Sequence, residues 1–205
     1  FGEPKLLPHI EPYRLKDDED AQLSKVRETC KRLQVPDDFF LGILRYVPGY
    51  EKALTDAMLE SHVKGNVDHK LKEIIRVRLA RTAKDTYFSN LRSREAQADG
   101  LTEELIDAGS EDFENDLRFS ESEKLALKYA DCMYRDPNKL DANFYEELKK
   151  HFTEAQIMEL GSFIALHYGM QVFMRTLQAF PAQDRDGNPV EQKQSEKIYS
   201  VKSGL

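Results

Sequence analysis

Cysteine is scarce in this chain, which has only Cys30 and Cys132 among its 205 residues. Two cysteines cannot form a disulfide framework, and both fall in segments with a helical pattern that suits reduced thiols, so we expect a cytoplasmic protein. Basic charge is not in excess either, because 30 Lys and Arg stand against 37 Asp and Glu. A nucleic-acid binder would show a basic patch, and we therefore expect no nucleic-acid partner.

Long apolar runs and compact cofactor motifs are also missing. The most apolar stretch, residues 163–174, is interrupted by His167, Gly169 and Gln171, whereas a membrane span needs roughly 18 consecutive apolar residues. No Cys-x-x-Cys, no histidine pair four residues apart and no glycine-rich phosphate loop is present. We expect no metal, no cofactor and no membrane partner, and we expect His62 and His69 to be solvated beside a turn.

The chain divides into three parts by composition. Proline recurs at every fourth position in residues 1–20, which blocks a continuous helix and predicts an extended N-terminal arm. Residues 21–180 carry apolar residues at helical spacing and form the predicted folded domain. Residues 181–205 are polar, and we expect this tail to bury no core.

An all-α bundle of about seven to nine helices is the fold predicted for residues 21–180, because no strand-like alternation longer than four residues occurs. Two capping boxes mark helix starts, Ser120 with Glu123 and Thr153 with Gln156. The last helix, about 154–180, is apolar nearly all round, so it is central to the fold or lies at a subunit interface.

Glu73 is the first candidate for chemistry. It follows Asp68, a predicted helix cap, and lies among Leu71, Ile74 and other apolar residues. One interpretation places it at the edge of the buried face, paired with a nearby arginine. The other is a buried carboxylate with a raised pKa that moves protons.

A second group lies on a helix predicted at about 85–99. Asp85, Phe88 and Arg92 fall at i, i+3 and i+7 with Tyr87 beside them. Such a face could line a pocket, with the guanidinium of Arg92 holding a carboxylate substrate, or it could simply be solvated.

His167 is the most informative single residue, because it lies with Tyr168 in the most apolar helix. An imidazole on such a face is either a hydrogen-bonded core histidine or the neutral base of a cofactor-free acid–base site.

These features together resemble the AhpD-like superfamily, which includes the carboxymuconolactone decarboxylases and their alkylhydroperoxidase relatives. The resemblance covers residues 47–180. It is carried by an ordered series of motifs: Pro48-Gly49 before a helix, Leu-Lys-Glu-Ile-Ile at 71–75, Gly-Leu-Thr-Glu-Glu-Leu at 100–105, Phe-Ser-x-x-Glu-Lys-Leu at 119–125, Phe-Thr-Glu-x-Gln at 152–156 and Leu-His-Tyr at 166–168.

The central motif departs from that family. The positions that resemble the peroxidase Cys-x-x-Cys-x-x-x-His motif hold Asp85, Phe88 and Arg92, and only Tyr87 survives from the Tyr-Glu-Trp-x-x-His string of the decarboxylase-like branch. Because thiol peroxidase chemistry needs a thiolate that can be oxidised and resolved, we expect no such activity.

The resemblance implies that some acid–base residues of the family are retained. Glu73 lies at the position of the family's proton-relay glutamate, and His167 and Tyr168 lie at the positions of the second motif of the decarboxylase-like branch. The predicted function is a cofactor-independent carboxymuconolactone decarboxylase-like lyase or isomerase, acting on a small carboxylated lactone or unsaturated acid. Its expected catalytic residues are Glu73, Tyr87 and His167, and its expected substrate-binding residues are Asp85, Phe88, Arg92 and Tyr168.

Two alternatives remain open. The protein could be a non-catalytic binding or assembly member of the fold in which Phe88 fills the former active site, or an enzyme rebuilt around Asp85 and Tyr87. The resemblance also implies a homo-oligomer, a trimer or a multiple of one.

Overall fold

The computed structural model describes residues 8–16 and 21–200. The all-α prediction is confirmed, since these residues form α-helices, three single-turn 3-10 helices and no strand. Residues 1–7 of the predicted arm, residues 17–20 and the end of the tail lie outside the described ranges. The helices are α1 (Ala21–Leu33), α2 (Asp38–Leu44), α3 (Pro48–Val63), α4 (His69–Ala83), α5 (Arg94–Ala98), α6 (Glu103–Ser110), α7 (Glu121–Arg135), α8 (Ala142–Lys149), α9 (Glu154–Leu177) and α10 (Gln192–Ser200).

Helix α4 is the centre of the fold. It packs against α9, α6, α3 and α7, and 11 of its 15 residues are buried, four of them charged. Apolar side chains alone would make such a helix an ordinary core element. Its buried charges must each find a partner, because an unpaired buried charge is very costly. The partners of these charges therefore define how the surrounding elements are positioned.

In the described part of the chain, no helix has the length and apolar composition that a membrane span requires.

The predicted helix starts are correct at atomic detail. The carboxylate of Asp68 accepts the amide of Leu71 at 3.0 Å and caps α4. Both capping boxes form, at the start of α7 and at the start of α9. Helix α9 stops at Leu177 rather than near residue 180, because Gln178 takes a left-handed conformation with φ of 53°.

The predicted helix over residues 85–99 is wrong. Helix α4 ends where Lys84 turns left-handed, and the Asp85 carboxylate then accepts the amides of Tyr87 and Phe88, each at 3.0 Å. An aspartate bonded to the following amides competes with helix formation. A 3-10 turn forms at residues 88–90, Leu91 is extended after it, and the only α-helix in the predicted range is the short α5. Asp85, Phe88 and Arg92 therefore do not share a helical face.

The expectation that the tail buries nothing is also wrong. Helix α10 buries Ser195 and Tyr199, and the Tyr199 hydroxyl donates to the carbonyl of Gln183 at 2.9 Å. The amide of Ala182 donates to the Asp37 carboxylate at 2.5 Å. Polar contacts of this kind leave no apolar periodicity in the sequence, which is why composition alone suggested an unpacked tail.

Arg78 joins three elements in the core around α4. Its guanidinium forms a two-point ion pair with Asp131 of α7 at 2.8 and 2.6 Å, donates to the carbonyl of Gly109 at 2.9 Å, and lies 4.6 Å from the ring centre of Phe113. One side chain therefore ties α4 to α6 and α7.

Replacing Arg78 by methionine is expected to lower the free energy of unfolding by about 3 kcal/mol, because it strands a buried carbonyl and the Asp131 carboxylate. Arg81→Met on the same helix removes an exposed pair with Asp107 and should cost no more than about 1 kcal/mol. Urea denaturation measures both. Equal losses for the two variants would contradict the role assigned to Arg78.

Candidate functional site

The candidate site is centred on Glu73, whose side chain accepts four hydrogen bonds and has no solvent exposure. Its Oε1 accepts from Arg76 Nη2 at 2.7 Å and from the amide of Ser93 at 2.8 Å. Its Oε2 accepts from Arg76 Nε and from His62 Nε2, both at 2.8 Å. All four of these contacts come from groups that are themselves buried. The interpretation in which Glu73 pairs with a nearby arginine is correct, and the partner is Arg76, but the pair lies inside the core rather than at its edge.

Arg76 extends this network to the chain that follows α4. Its Nη1 donates to the carbonyl of Phe88 at 2.8 Å, and its Nη2 donates to the carbonyl of Leu91 at 2.7 Å. The guanidinium is fully buried, so these carbonyls satisfy donors that the carboxylate leaves free. The irregular segment between α4 and α5 is thus anchored through its backbone.

Glu73 is a carboxylate in this setting. Burial alone would raise its pKa, but the charge and hydrogen bonds of Arg76, with the hydrogen bond from His62, hold the pKa well below its usual value. An anion of this kind accepts protons poorly. Its chemical effect is to orient and polarise the imidazole that it binds.

His62 is the imidazole in question. Because an ionised carboxylate can only accept, His62 carries its proton on Nε2 and its Nδ1 is the basic nitrogen. No described residue forms a hydrogen bond with that Nδ1. Burial lowers the pKa of His62 to about 4, against the opposing influence of Glu73. The ring is therefore neutral near pH 7.

The expectation that His62 and His69 are solvated is wrong. His62 is buried and His69 is partly buried. His69 Nδ1 donates to the carbonyl of His62 at 2.8 Å, and its Nε2 lies 2.8 Å from the hydroxyl of Ser93. Both histidines flank the turn at 64–68, a position that indicates the surface in the sequence. In the structure this turn folds α3 and α4 against each other, and the histidines lie between them.

His167 lies beside this pair. Its ring centre is 5.7 Å from that of His62 and 4.2 Å from that of Phe163. Its Nε2 is 3.4 Å from the hydroxyl oxygen of Ser61, which donates its own proton to the carbonyl of Met58. Burial, followed by the charges of His62 and Arg76, lowers the pKa of His167 well below its usual value. It too is neutral, and its Nε2 faces the Ser61 hydroxyl.

Lys72 borders the same region on α4. Its ammonium donates to the carbonyls of Ser61 and Lys64 at 3.0 and 2.6 Å and pairs with Glu159 at 2.9 Å. Glu159 also accepts the amide of Val67 at 3.2 Å. These contacts fix the end of α3 that carries Ser61 and His62.

Tyr87, Asp85 and Phe88 form a second group beyond the C-terminal end of α4. The Tyr87 hydroxyl donates to Asp37 at 2.5 Å, and burial, followed by the charge and hydrogen bond of Asp37, raises the pKa of Tyr87 well above its usual value. Burial raises the pKa of Asp37 to about 6 and that of Asp85 to about 7. Phe88 packs against the ring of Phe40, with centroids 5.3 Å apart.

Arg92 and Tyr168 are placed away from both groups. Arg92 pairs with Glu103 at 2.8 Å and lines a hollow of about 250 Å³ that also contains Arg185. Tyr168 is half-buried and stacks on Tyr134 with ring centres 3.8 Å apart. Of the seven residues singled out from sequence, the structure brings Glu73 and His167 together through His62, and it groups Asp85, Tyr87 and Phe88 separately.

His62 is the residue that sequence reasoning missed. A usable signal existed, because His62 lies three residues before the Gly65-Asn66 turn and Glu73 lies seven residues after it, so an antiparallel hairpin of α3 and α4 brings both to the same end of the helix pair. The two-histidine and carboxylate arrangement can hold one neutral base and one neutral hydrogen-bond donor side by side. Within the described residues no cluster of potential ligands is arranged to hold a metal ion.

Comparison with known proteins supports the fold. No protein-family profile matches the sequence, and no curated protein does. Solved structures do match it. One is a variant of the debrominase Bmp8 in complex with 2,3,4-tribromopyrrole, with a TM-score of 0.67 and 19% identity over 83% of this chain and 89% of that one.

Two bacterial structures are similar to the same extent. A peroxidase-related protein from Silicibacter sp. TM1040 has a TM-score of 0.68 and 14% identity over 86% of this chain and 93% of that one. An alkylhydroperoxidase AhpD core protein from Ralstonia eutropha JMP134 has a TM-score of 0.62 and 14% identity over 84% and 90%. At these identities the likeness shows the fold alone, and that fold is AhpD-like.

The lowered pKa of His62 predicts an acid-sensitive stability. Between pH 6.5 and 4 the unfolded chain protonates this imidazole and the folded chain does not, so its contribution is present above about pH 6.5 and lost as the pH falls towards 4. The difference in unfolding free energy between the wild type and His62→Gln should therefore shrink by about 3 kcal/mol from pH 7 to pH 4.

Chemical denaturation at each pH measures this difference, and titrating groups that His62 does not influence cancel from it. His151→Gln, at an exposed position, controls for the removal of an imidazole as such. A wild-type to His62→Gln difference that stays constant with pH would contradict the assignment.

Proposed function

We propose that this protein is a cofactor-independent lyase or isomerase of the AhpD-like fold, acting by acid–base chemistry on a small carboxylated lactone or unsaturated acid. The observation that carries the proposal is the 2.8 Å hydrogen bond between Glu73 Oε2 and His62 Nε2, backed by Arg76. A buried carboxylate that fixes one imidazole nitrogen leaves the other as an oriented base.

His62 is the proposed base. An isomerase must remove a proton from a carbon next to a carbonyl group and return it elsewhere, and a neutral imidazole can do both. When Nδ1 takes up a proton, the positive charge forms beside the Glu73 carboxylate, which stabilises it. Glu73 thus acts by positioning and electrostatics, rather than by carrying the proton itself.

His167 is the proposed hydrogen-bond donor to the enolate oxygen that develops on the substrate. Its low pKa keeps the ring neutral, and a neutral imidazole can still donate from Nε2. That nitrogen faces the hydroxyl of half-buried Ser61 at 3.4 Å. A substrate oxygen that takes the place of this long contact would receive the same proton.

The expected roles of the remaining residues follow from their positions. Tyr87, Asp85 and Phe88 would support the segment that Arg76 anchors, and Tyr168 would hold α9 through Tyr134. The debrominase that shares the fold carries 2,3,4-tribromopyrrole, which supports a small ring compound as the kind of ligand that this fold accommodates.

Solvent deuterium exchange tests the proposed chemistry. Unsaturated carboxylic acids and carboxylated lactones are incubated with the protein in deuterated buffer, and proton NMR follows loss of signal at the carbon next to the carbonyl group. Exchange by the wild type should fall by roughly 100-fold in His62→Gln and in His167→Gln, the range expected for loss of a general base or a positioned donor.

His151→Gln keeps wild-type exchange in this test, since its exposed side chain lies outside the network. Circular dichroism checks that each variant is folded. Exchange that is unaffected in both folded variants, or no exchange by the wild type with any member of the series, would overturn the proposal.

A second candidate is a non-catalytic protein that binds small carboxylates. It is favoured by the burial of Phe88 in the core and by the hollow of about 250 Å³ that contains Arg92 and Arg185 together with the amide side chains of Gln34 and Gln183. A carboxylate there could take the place of Glu103 on Arg92 and form two parallel hydrogen bonds.

Calorimetric titration with the same acids separates the two candidates. If the hollow is the binding site, Arg92→Gln should weaken binding by roughly tenfold or more, whereas His62→Gln should leave it unchanged. Binding that His62→Gln weakens and Arg92→Gln does not would place the ligand at the imidazole pair instead.

A further inference from the structure

One buried side-chain oxygen in the described part of the chain has no hydrogen-bond partner, the amide Oε1 of Gln171. Gln171 lies on α9 and is only 1% exposed. Its Nε2 donates to the main-chain carbonyl of Arg76 at 2.9 Å. Because a carbonyl can only accept a hydrogen bond, the nitrogen must face Arg76, and the oxygen is the atom left without a partner.

This oxygen lies where an apolar side chain would be expected. Met174, one turn further along α9, is buried in an apolar cluster with Ala80 and Phe88. An unpaired acceptor in such surroundings is unfavourable, and methionine would fill a similar volume without a strong acceptor. Burial without pairing therefore points to a ligand that supplies the missing hydrogen bond, rather than to core packing.

Gln171 is adjacent to the pair of imidazoles. It follows His167 by four residues on α9, so both side chains lie on the same face of that helix. On α4, Arg76, whose carbonyl holds the amide of Gln171, follows Glu73 by three residues. The amide of Gln171 is therefore displaced from the level of Glu73 and His167 by one helical turn, roughly 5 Å along the helix axes.

We propose that Oε1 of Gln171 accepts a hydrogen bond from a hydroxyl group of the substrate, and that Gln171 thereby selects hydroxylated acids or lactones over those that lack the hydroxyl. This inference rests on the proposed function, in which His62 moves the proton and His167 binds the developing enolate oxygen. One helical turn is about the length of a small acid or lactone, so the same molecule can reach both His167 and Gln171.

The charges near Gln171 determine which end of the substrate it meets. An amide oxygen repels a carboxylate, because both can only accept hydrogen bonds. The nearby cations already have anionic partners. Arg76 pairs with Glu73 at 2.7 Å, and Lys72 pairs with Glu159 at 2.9 Å. The carboxylate of a substrate therefore points away from Gln171, and a neutral donor, which in an acid or lactone is a hydroxyl, points towards it.

Calorimetric titration with two sets of unsaturated acids tests this selection. One set is 3-butenoate with its 2-hydroxy and 2-methoxy derivatives, and the other is crotonate with its 4-hydroxy and 4-methoxy derivatives. In at least one set the wild type should bind the hydroxy acid roughly tenfold more tightly than the other two acids, because only a hydroxyl can donate to Oε1. Gln171→Met should bind the three acids alike, whereas Gln156→Met, at the other end of α9, should keep the wild-type preference.

Urea denaturation gives a readout that needs no ligand. Gln171→Met should unfold at a urea concentration no lower than the wild type, because removal of the unpaired oxygen offsets the lost bond to Arg76. Gln156 is the matched control on the same helix. Its Oε1 accepts the amide of Thr153 at 2.9 Å, and its Nε2 donates to the carbonyl of Asn66 at 3.0 Å. Gln156→Met should therefore lower the unfolding midpoint.

The inference would be overturned if the wild type bound the hydroxy acids no better than their parents, if it bound neither set, or if Gln171→Met kept the preference. A midpoint lowered as much by Gln171→Met as by Gln156→Met would also overturn it, since the oxygen would then have a partner in the folded protein, such as a buried water. Failure of the proposed function is seen separately, as an absence of deuterium exchange by a wild type that still prefers the hydroxy acid.

Discussion

The ion pair between Glu73 and Arg76 is the interaction on which the centre of this molecule depends. Both side chains lie on α4 one turn apart and neither has any solvent exposure. Their remaining hydrogen-bonding capacity is taken up by His62 of α3, by the amide of Ser93 and by the carbonyls of Phe88 and Leu91. A buried pair of this kind adds little stability by itself. What it does supply is geometry, because every group around it must keep its place for the charges to remain satisfied.

The same pair determines what the site can do. Because Glu73 is held as an anion, its neighbour His62 has a defined tautomer, and its ring lies beside the neutral imidazole of His167 in the interior of the protein. The proposed proton transfer therefore involves the histidines rather than the carboxylate. Solved structures with the same fold include a debrominase and a peroxidase-related protein, and a fold by itself does not fix the chemistry of its site.

The sequence predicted the helices and their caps well, since local signals such as Asp68 and the two capping boxes need no tertiary information. It failed where tertiary contacts decide. Asp85 stands at the start of the helix predicted over 85–99, but its carboxylate binds the amides of Tyr87 and Phe88, and only a 3-10 turn follows. His62 looked solvated because it precedes a turn, and only the pairing of α3 with α4 makes it buried. The pairing of Glu73 with Arg76 was predictable from their spacing, but its complete burial was not.

The anchoring of residues 85–93 through main-chain atoms bears on how such a protein can change over evolutionary time. Arg76 and Glu73 hold this segment by its carbonyls, which every residue type supplies, and by one amide, which every type except proline supplies. Mutations that replace side chains at Ser89, Asn90 or Arg92 leave those bonds available. The fold can therefore tolerate the exchange of reactive side chains in this segment, which corresponds to the redox motif of the family that the sequence resembles. A new set of reactive side chains can arise there without a change of fold.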